Sequence, residues 1–229
     1  MEFLIKNGVL TGFNAPVFRE GYAITIPEGV KKIGPEAFRN RNDLLEVTLP
    51  ASLTVIGKWA FGGCQNLQTV HMQEGVAEIG EYAFDFCERL REITLPASLV
   101  KLGKRVFEGC GALESVTFRG GLDVIREGLF FRCISLGNFA FPKGLQAIEK
   151  EAFYSCYRLE QVQLPQSVTT IGKEAFSYCG NLKKAVIPAS VATIGKDAFH
   201  ECYSLRMQAP MGSAAEVYAR KNKHYFEQP

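Results

Sequence analysis

Seven cysteines are the residues of this 229-residue chain whose chemistry is most varied, and they recur at a fixed interval of 23 residues. A disulfide framework usually has an even number of cysteines at irregular spacings, and a structural zinc site needs close pairs such as C-x2-C. The constant interval therefore indicates a structural repeat, in which the thiols form a ladder of small buried side chains. The ladder consists of Cys64, Cys87, Cys110, Cys133, Cys156, Cys179 and Cys202.

The histidines do not complete a catalytic group with these thiols. His200 stands two residues before Cys202, but a Cys–His pair needs both side chains on one accessible surface, and we expect the thiol to face inward. The sequence holds no glycine-rich nucleotide loop, no H-E-x-x-H metal motif and no G-x-S-x-G elbow. We therefore predict that the chain is not an enzyme and uses no cofactor or metal ion.

Composition excludes further classes of protein. The 26 Lys and Arg residues nearly balance the 24 Asp and Glu residues, so the basic surplus typical of nucleic-acid binders is absent. No run of about 18 apolar residues predicts a membrane span, and the first residues do not resemble a secretory signal. The compartment stays open: cytoplasmic if the chain is complete, extracellular if a signal was removed.

The cysteine interval is shared by several other columns, which define the unit L-x-x-V-x-L-P-x-S-V-x-x-I-G-x-x-A-F-x-x-C-x-x. The clearest copy runs from Leu159 to Leu182. Units of this length cannot bury their apolar side chains alone, so successive units must stack into a solenoid with one continuous core. The most regular column is Phe38, Phe61, Phe84, Phe107, Phe130, Phe153, Phe176 and Phe199.

Each unit predicts one strand and two bends. Val162 and Leu164 alternate with polar Gln161 and Gln163, which is the period-2 pattern of a strand that Pro165 ends. Two residues after the proline position of the unit, every copy has either Gly or Ser, which favours a tight turn. We expect Gly172 to occupy a corner with a positive φ angle, and strands of successive turns to lie about 4.8 Å apart.

The predicted organisation has a cap at each end of the repeats. Residues 1–20 contain Asn7-Gly8 between two apolar runs, which predicts a capping hairpin. Residues 21–209 hold eight copies, and residues 210–229 form a C-terminal cap. Within that cap Ser213 and Glu216 make a capping box, which predicts a short helix over 213–222.

The fifth copy departs from the unit. Arg126 replaces the corner glycine, Leu129 replaces the alanine, and Phe139 and Phe141 replace smaller strand residues. The copy marks either a bend or binding site, or neutral drift in a tolerant scaffold.

The unit resembles the 23-residue leucine-rich repeat of the BspA-like bacterial surface antigen family, and the resemblance covers nearly the whole chain. The opening KNGVLTGF and the closing GSAAEVYARKN are also similar to segments of that family. The resemblance implies a right-handed, mildly curved leucine-rich-repeat solenoid that binds proteins, supports adhesion or is displayed on a cell surface. One departure is Arg41, which stands where the other copies have cysteine.

Two surfaces are candidates for binding a partner. The first is the outward column of the strand face, polar and rich in threonine, which is also ordinary for exposed strands. Its residues are Thr48, His71, Thr94, Thr117 and Gln163. The second is the edge after the Ala-Phe pair, where aromatic side chains either form a contact patch or pack on neighbouring turns. Its residues are Phe86, Phe131, Tyr154, Tyr157, Tyr178 and Tyr203.

Two functions follow from these surfaces. The first is a non-enzymatic protein–protein interaction module, whose partner and oligomeric state the sequence leaves open. The alternative is a carbohydrate-binding module in which edge aromatics stack on sugar rings, and a coplanar, exposed pair of Tyr154 and Tyr178 would favour it.

Overall fold

The computed structural model describes residues 1–16 and 20–229, which form nineteen strands and one helix. The predicted cap over residues 1–20 includes residues 17–19, which lie outside the described part of the chain. The elements are β1 Glu2–Lys6, β2 Val9–Asn14, β3 Tyr22–Thr25, β4 Lys32–Ile33, β5 Leu44–Thr48, β6 Val55–Ile56, β7 Thr69–His71, β8 Glu78–Ile79, β9 Glu92–Leu95, β10 Lys101–Leu102, β11 Ser115–Phe118, β12 Val124–Ile125, β13 Ala147–Ile148, β14 Gln161–Gln163, β15 Thr170–Ile171, β16 Lys184–Val186, β17 Thr193–Ile194, β18 Arg206–Gln208, α1 Ala214–Asn222 and β19 Tyr225–Glu227.

The chain forms two compact units, the first of which spans Met1–Gly120. It begins with an antiparallel hairpin in which β1 pairs with β2 around Asn7 and Gly8. Parallel two-residue strands then continue that sheet in the order β1-β2-β4-β6-β8-β10. A second series of strands forms the sheets β3-β5-β7 and β9-β11, also in parallel. The predicted stack of parallel turns is therefore confirmed in this unit.

The second unit spans Gly121–Pro229 and repeats the same arrangement. Its short strands pair in the order β12-β13-β15-β17, and its longer strands in the order β14-β16-β18-β19. The irregular fifth copy has no strand where the unit predicts one. Instead, Phe139 packs edge-on against Phe130 and Phe153, with ring centroids 5.2 and 4.9 Å apart, and Phe141 packs on Phe139. These larger side chains are half-buried and pack against the core rings at the edge of this turn.

Phenylalanine rings stack along the interior of each unit. Within the second unit the centroids of Phe153, Phe176 and Phe199 follow one another at 5.0 and 5.1 Å with nearly parallel planes. All three rings are fully buried. Removing one such ring typically costs about 3–5 kcal/mol of unfolding free energy, so this column holds the turns together.

The cysteines form the predicted ladder of buried thiols, and none of the seven forms a disulfide. A thiol typically donates to the carbonyl oxygen of the phenylalanine 26 residues earlier, as Cys156 Sγ does to Phe130 at 3.3 Å. Burial raises the pKa of six of these thiols, to about 12 for Cys64. The ladder therefore links neighbouring turns and is chemically inert in the folded state.

The recurring corner glycines have a different cause from the one that the sequence predicts. The expectation of a positive φ at Gly172 is wrong, because this residue is not among the positive-φ positions. A Cβ atom on Gly172 would instead lie 2.5 Å from the backbone nitrogen of Lys150 and 2.6 Å from the carbonyl carbon of Glu149. Glycine is required there because successive turns approach too closely for any side chain.

In the column that holds only Gly or Ser, the two residue types stabilise the same turn in different ways. Gly144 has a φ of 79°, and a Cβ atom there would have no neighbour within 4 Å, so glycine serves the backbone conformation. Ser167 instead donates its hydroxyl to the carbonyl oxygen of Leu145 at 2.6 Å, and Ser190 donates to Val168 in the same way. Serine thus adds a hydrogen bond between turns.

Arg41 closes the ladder at the start of the repeats. Its guanidinium donates to both carboxylate oxygens of Asp43, to the hydroxyl of Tyr22 at 2.6 Å and to the carbonyl oxygen of Ala15. The guanidinium also lies 5.4 Å above the ring of Phe13. A charged group stands here because these partners neutralise and solvate it, whereas a thiol would leave Asp43 without a cation.

Helix α1 closes the other end of the second unit. Ser213 is its N-cap, and the hydroxyl accepts from the backbone N–H of Glu216. Within the second unit the N–H of a core phenylalanine donates to the next turn, as Phe153 does to Ala175 and Phe176 does to Ala198. The last one, Phe199, donates to the hydroxyl of Tyr218 at 3.1 Å, so the helix supplies the acceptor that a further turn would have supplied.

Candidate functional site

The edge of the turns is built by residues in the left-handed backbone region. In the second unit Arg132, Ser155, Tyr178 and Glu201 each precede a cysteine and have φ between 58° and 61°. This conformation costs a non-glycine residue about 1–2 kcal/mol, but it aims the N–H at the next turn. The N–H of Tyr178, for example, donates to the carbonyl oxygen of His200 at 2.8 Å. Hydrogen bonds between successive turns therefore fix the backbone positions from which these side chains project.

Two of the predicted edge aromatics pack on each other rather than standing free. Phe131 and Tyr154 are half-buried and stack with their centroids 4.7 Å apart and their planes 7° apart. Tyr154 also contacts Tyr178 at 5.2 Å, with the rings tilted by 49°. Partial burial raises the pKa of Tyr154. This part of the edge completes the packing between turns.

The remaining tyrosines stand out from the surface. Tyr178 is 43% exposed, Tyr157 56% and Tyr203 81%. The sequence did not single out Ile134, which is 51% exposed. These four side chains line a groove of about 590 Å³, so the structure brings together three of the predicted residues and adds a fourth.

Ile134, Tyr157 and Tyr203 occupy one column, directly after a cysteine. The corresponding position between the two tyrosines is Gly180, which also lines the groove. A Cβ atom on Gly180 would lie 2.8 Å from a ring carbon of Tyr157, so this ring leans across the bare backbone. The absence of a side chain at Gly180 therefore leaves room for the Tyr157 ring over this turn. Ile134 could have been found in the sequence because it stands in the same column as Tyr157 and Tyr203.

The groove carries an uneven distribution of charge. Arg132 and Arg158 line it and are exposed, and neither forms an ion pair with any residue that the structure describes. Glu201 also lines it and lies 3.5 Å from the Nε2 atom of His200. The guanidinium groups thus place two positive charges at one end of the groove, where they could bind an anionic group.

Phe86, the remaining edge residue, belongs to the first unit and is 42% exposed. Its ring lies over Gly109, where a Cβ atom would come within 2.8 Å of it. Phe86 is not part of the groove, every lining residue of which lies between 121 and 229.

The outward residues of the strand face form polar rows within each unit. In the first unit Thr48 pairs in register with His71, and Thr94 with Thr117. The Nε2 atom of His71 lies 3.0 Å from a carboxylate oxygen of Glu46. In the second unit Gln163 is exposed and pairs with Val186. These rows provide hydrogen-bonding groups, and none of their residues lines the groove of the second unit.

A second crevice, of about 270 Å³, lies between helix α1 and the last turn and includes Cys202, His200 and His224. The thiol of Cys202 donates to the carbonyl oxygen of Phe176 at 3.2 Å, and burial raises its pKa to about 12. It is therefore not a nucleophile at neutral pH. Burial also lowers the pKa of His224, whose ring stacks on Tyr218. Over residues 1–16 and 20–229, no three metal-binding side chains come together.

Comparison with known proteins agrees with the repeat architecture. A family model described as BspA type leucine rich repeat region, in six copies, matches residues 20–136 and 100–214. No curated protein matches the chain. No helix in the described ranges is both long and apolar enough to cross a membrane.

Solved structures of bacterial leucine-rich repeat proteins share the fold. The protein from T. pallidum is 27% identical over 96% of this chain and 89% of its own, with a TM-score of 0.60. The protein from Bacteroides ovatus is 23% identical over 91% of this chain and 68% of its own, with a TM-score of 0.60. A third protein, from Eubacterium ventriosum, is 21% identical over 78% of this chain and 58% of its own, with a TM-score of 0.67.

Proposed function

Since the chain belongs to the BspA-type leucine-rich-repeat family, we propose that it is a non-enzymatic module that binds a protein partner through the groove of its second unit. The proposal rests on one observation: Ile134, Tyr157, Tyr178 and Tyr203 expose large apolar surface around a single groove of about 590 Å³. Tyrosine and arginine are the side chains that protein interfaces most favour. Display at a cell surface, as the family resemblance suggests, would bring such a groove into contact with extracellular proteins.

The groove is better suited to a protein than the strand face is. Tyr157 and Tyr203 provide rigid apolar contact area, which stabilises a complex when water is excluded from it. The strand face offers mainly single hydroxyl groups, each of which gains little by exchanging water for a partner. The outward residues of the strand face therefore serve as the alternative site in the test below; they are Thr48, His71, Thr94, Thr117 and Gln163.

Carbohydrate binding through Tyr154 and Tyr178 receives no support from their geometry. Stacking on a sugar requires an open ring face, and a flat platform requires the two rings to be coplanar. Their planes are tilted by 49° and the rings contact each other. Tyr154 is also covered on another side by Phe131.

The experiment is affinity capture with three forms of the purified chain: unchanged, Tyr157→Ser/Tyr203→Ser, and Thr94→Ala/Thr117→Ala. Cell lysate and extracellular host proteins are passed over each form, retained proteins are identified by mass spectrometry, and binding of each purified candidate is then measured directly. Circular dichroism of each form checks that the repeats are intact.

We expect a partner that binds the unchanged and threonine-substituted forms but binds the tyrosine-substituted form at least about tenfold more weakly. A partner that is lost only with the threonine substitutions would move the site to the strand face. Equal binding by all three forms would refute a site at the groove.

A further inference from the structure

We propose that strand β1 is a dimerisation surface, through which two copies of this chain pair in antiparallel orientation about a twofold axis at Leu4. The inference goes beyond the proposed function, because β1 belongs to the first unit and the groove to the second. Three observations support it: an edge of the sheet with no neighbouring strand, exposed apolar side chains on that edge, and a charge pattern that is complementary to itself.

The first observation is the position of β1 in its sheet. The strand order is β1-β2-β4-β6-β8-β10, so β1 pairs only with β2 and lies at the edge. A strand directs its N–H and C=O groups alternately to its two sides, so part of these groups of β1 point away from β2. No strand formed by the described residues lies on that side. A strand from a second copy can therefore extend the sheet there.

The second observation is the apolar character of this edge. Leu4 and Ile5 are exposed, and Phe3 is half-buried. The ring of Phe3 packs on that of buried Phe13, with centroids 5.0 Å apart, so the face of β1 that carries Phe3 and Ile5 continues the apolar side of the hairpin. A neighbouring strand would cover these side chains, which are now in contact with water.

The third observation is the order of charges in β1, which reads EFLIK with exposed Glu2 and Lys6 at its two ends. In an antiparallel pair centred on Leu4, Glu2 of each copy lies opposite Lys6 of the other. Leu4 then meets Leu4, and Phe3 lies opposite Ile5. Opposite charges and apolar side chains directly across a strand pair stabilise it, whereas like charges destabilise it.

The same charges exclude the parallel arrangement. A parallel pair in register would place Glu2 beside Glu2 and Lys6 beside Lys6, which is how charged residues usually protect an edge strand from pairing. The antiparallel pair uses the same patch on both copies and leaves neither β1 edge free. We therefore expect a closed dimer that joins two six-stranded sheets, and not a fibre.

Sedimentation velocity over a range of concentrations tests the proposal, with no residues added before Met1. The forms compared are the unchanged chain, Glu2→Lys, Lys6→Glu and the double variant Glu2→Lys/Lys6→Glu. We expect the unchanged chain to dimerise reversibly, and each single variant to dimerise at least about tenfold more weakly because like charges then meet. The double variant exchanges the two charges and should dimerise like the unchanged chain. An equimolar mixture of the two single variants should also dimerise, because one copy then has lysine and the other glutamate at both ends.

Two controls locate the contact. The Tyr157→Ser/Tyr203→Ser form alters the groove and should dimerise like the unchanged chain. Leu4→Cys places a thiol at the twofold axis, where the Cβ atoms of two copies would lie about 5 Å apart, so oxidised glutathione should link two copies by a disulfide. Thr11→Cys, exposed on β2, should not form this link, and the native thiols are buried. Circular dichroism of each variant checks that the repeats are intact.

The outcomes decide the proposal without touching the groove. A chain that stays monomeric at every concentration would overturn it. So would dimerisation that neither charge reversal weakens, a mixture of single variants that does not associate, or Leu4→Cys that links no faster than Thr11→Cys. Capture of a partner through Tyr157 and Tyr203 is measured separately, so the proposed function would stand or fail on its own result.

Discussion

Substituting Gly172 with alanine tests the account of how the turns stack. The added Cβ would lie 2.5 Å from the backbone nitrogen of Lys150, whereas ordinary van der Waals contact begins near 3.4 Å. The two turns must therefore separate locally by almost 1 Å. The hydrogen bond from Gly172 N–H to the carbonyl oxygen of Ile148, 2.7 Å long, would then stretch beyond useful length.

The expected cost combines two effects. Overpacking of a dense interior typically costs about 1–3 kcal/mol, and loss of the backbone hydrogen bond adds about 1 kcal/mol. We therefore expect Gly172→Ala to lower the unfolding free energy by roughly 2–4 kcal/mol. In a chain of this size that corresponds to a Tm about 5–15 °C lower, measured by circular dichroism or calorimetry.

Gly144→Ala provides the matched control. Gly144 has a φ of 79° and open space around the position of a Cβ, so alanine there costs only the left-handed conformation, about 1–2 kcal/mol. The reasoning would be refuted if Gly172→Ala destabilised the chain no more than Gly144→Ala does. The close approach of the turns would then not be the reason for glycine at 172.

Three further predictions concern the cap, one buried acid and the thiols. Tyr218→Phe removes the acceptor of the buried Phe199 N–H and should lower the free energy of unfolding by about 1–3 kcal/mol, measured by thermal or urea unfolding. The control Tyr225→Phe changes an exposed side chain and should leave the free energy of unfolding almost unchanged. Burial raises the pKa of Asp85 from 3.8 to about 7, so between these pH values the folded state keeps a proton that the unfolded state has released. The free energy of unfolding should therefore fall as the pH rises from about 4 to 7. Asp85→Asn should remove this decline, measured by urea titrations at several pH values. With its pKa near 12, Cys64 has about a thousandfold less thiolate at pH 8 than an ordinary thiol. A thiol reagent should therefore label the native chain very slowly, whereas in guanidinium it should label all seven cysteines. Fast labelling of the native chain would contradict the buried ladder.

The repeat and its interior could be predicted from the sequence because each core residue meets its own kind in the next turn. A column such as Phe153, Phe176 and Phe199 therefore appears both as a sequence period and as a stack of rings. The thiol ladder followed from the same logic, since small buried side chains at a constant interval need no other partner. Stacking identical units makes the core a local property of the sequence.

Features that depend on distances between turns could not be predicted in the same way. A glycine column looks identical whether it serves a positive φ or a close approach of backbones, and only the structure distinguishes these at Gly172. Tyr154 and Tyr178 both interrupt a polar edge in the sequence, yet one is half-buried and the other exposed. The sequence also could not indicate that Arg132 and Arg158 border one groove, because they occupy different columns of the repeat.

The column after the cysteine gives the strongest reason to assign function to the edge rather than the core. In the first unit this position holds exposed Gln65 and Glu88, so the turn folds with polar side chains there. Folding therefore does not require tyrosine at 157 and 203. Exposed aromatic side chains that the fold does not need are a cost to a soluble protein unless they contact something else. The partner proposed for the groove would cover these side chains.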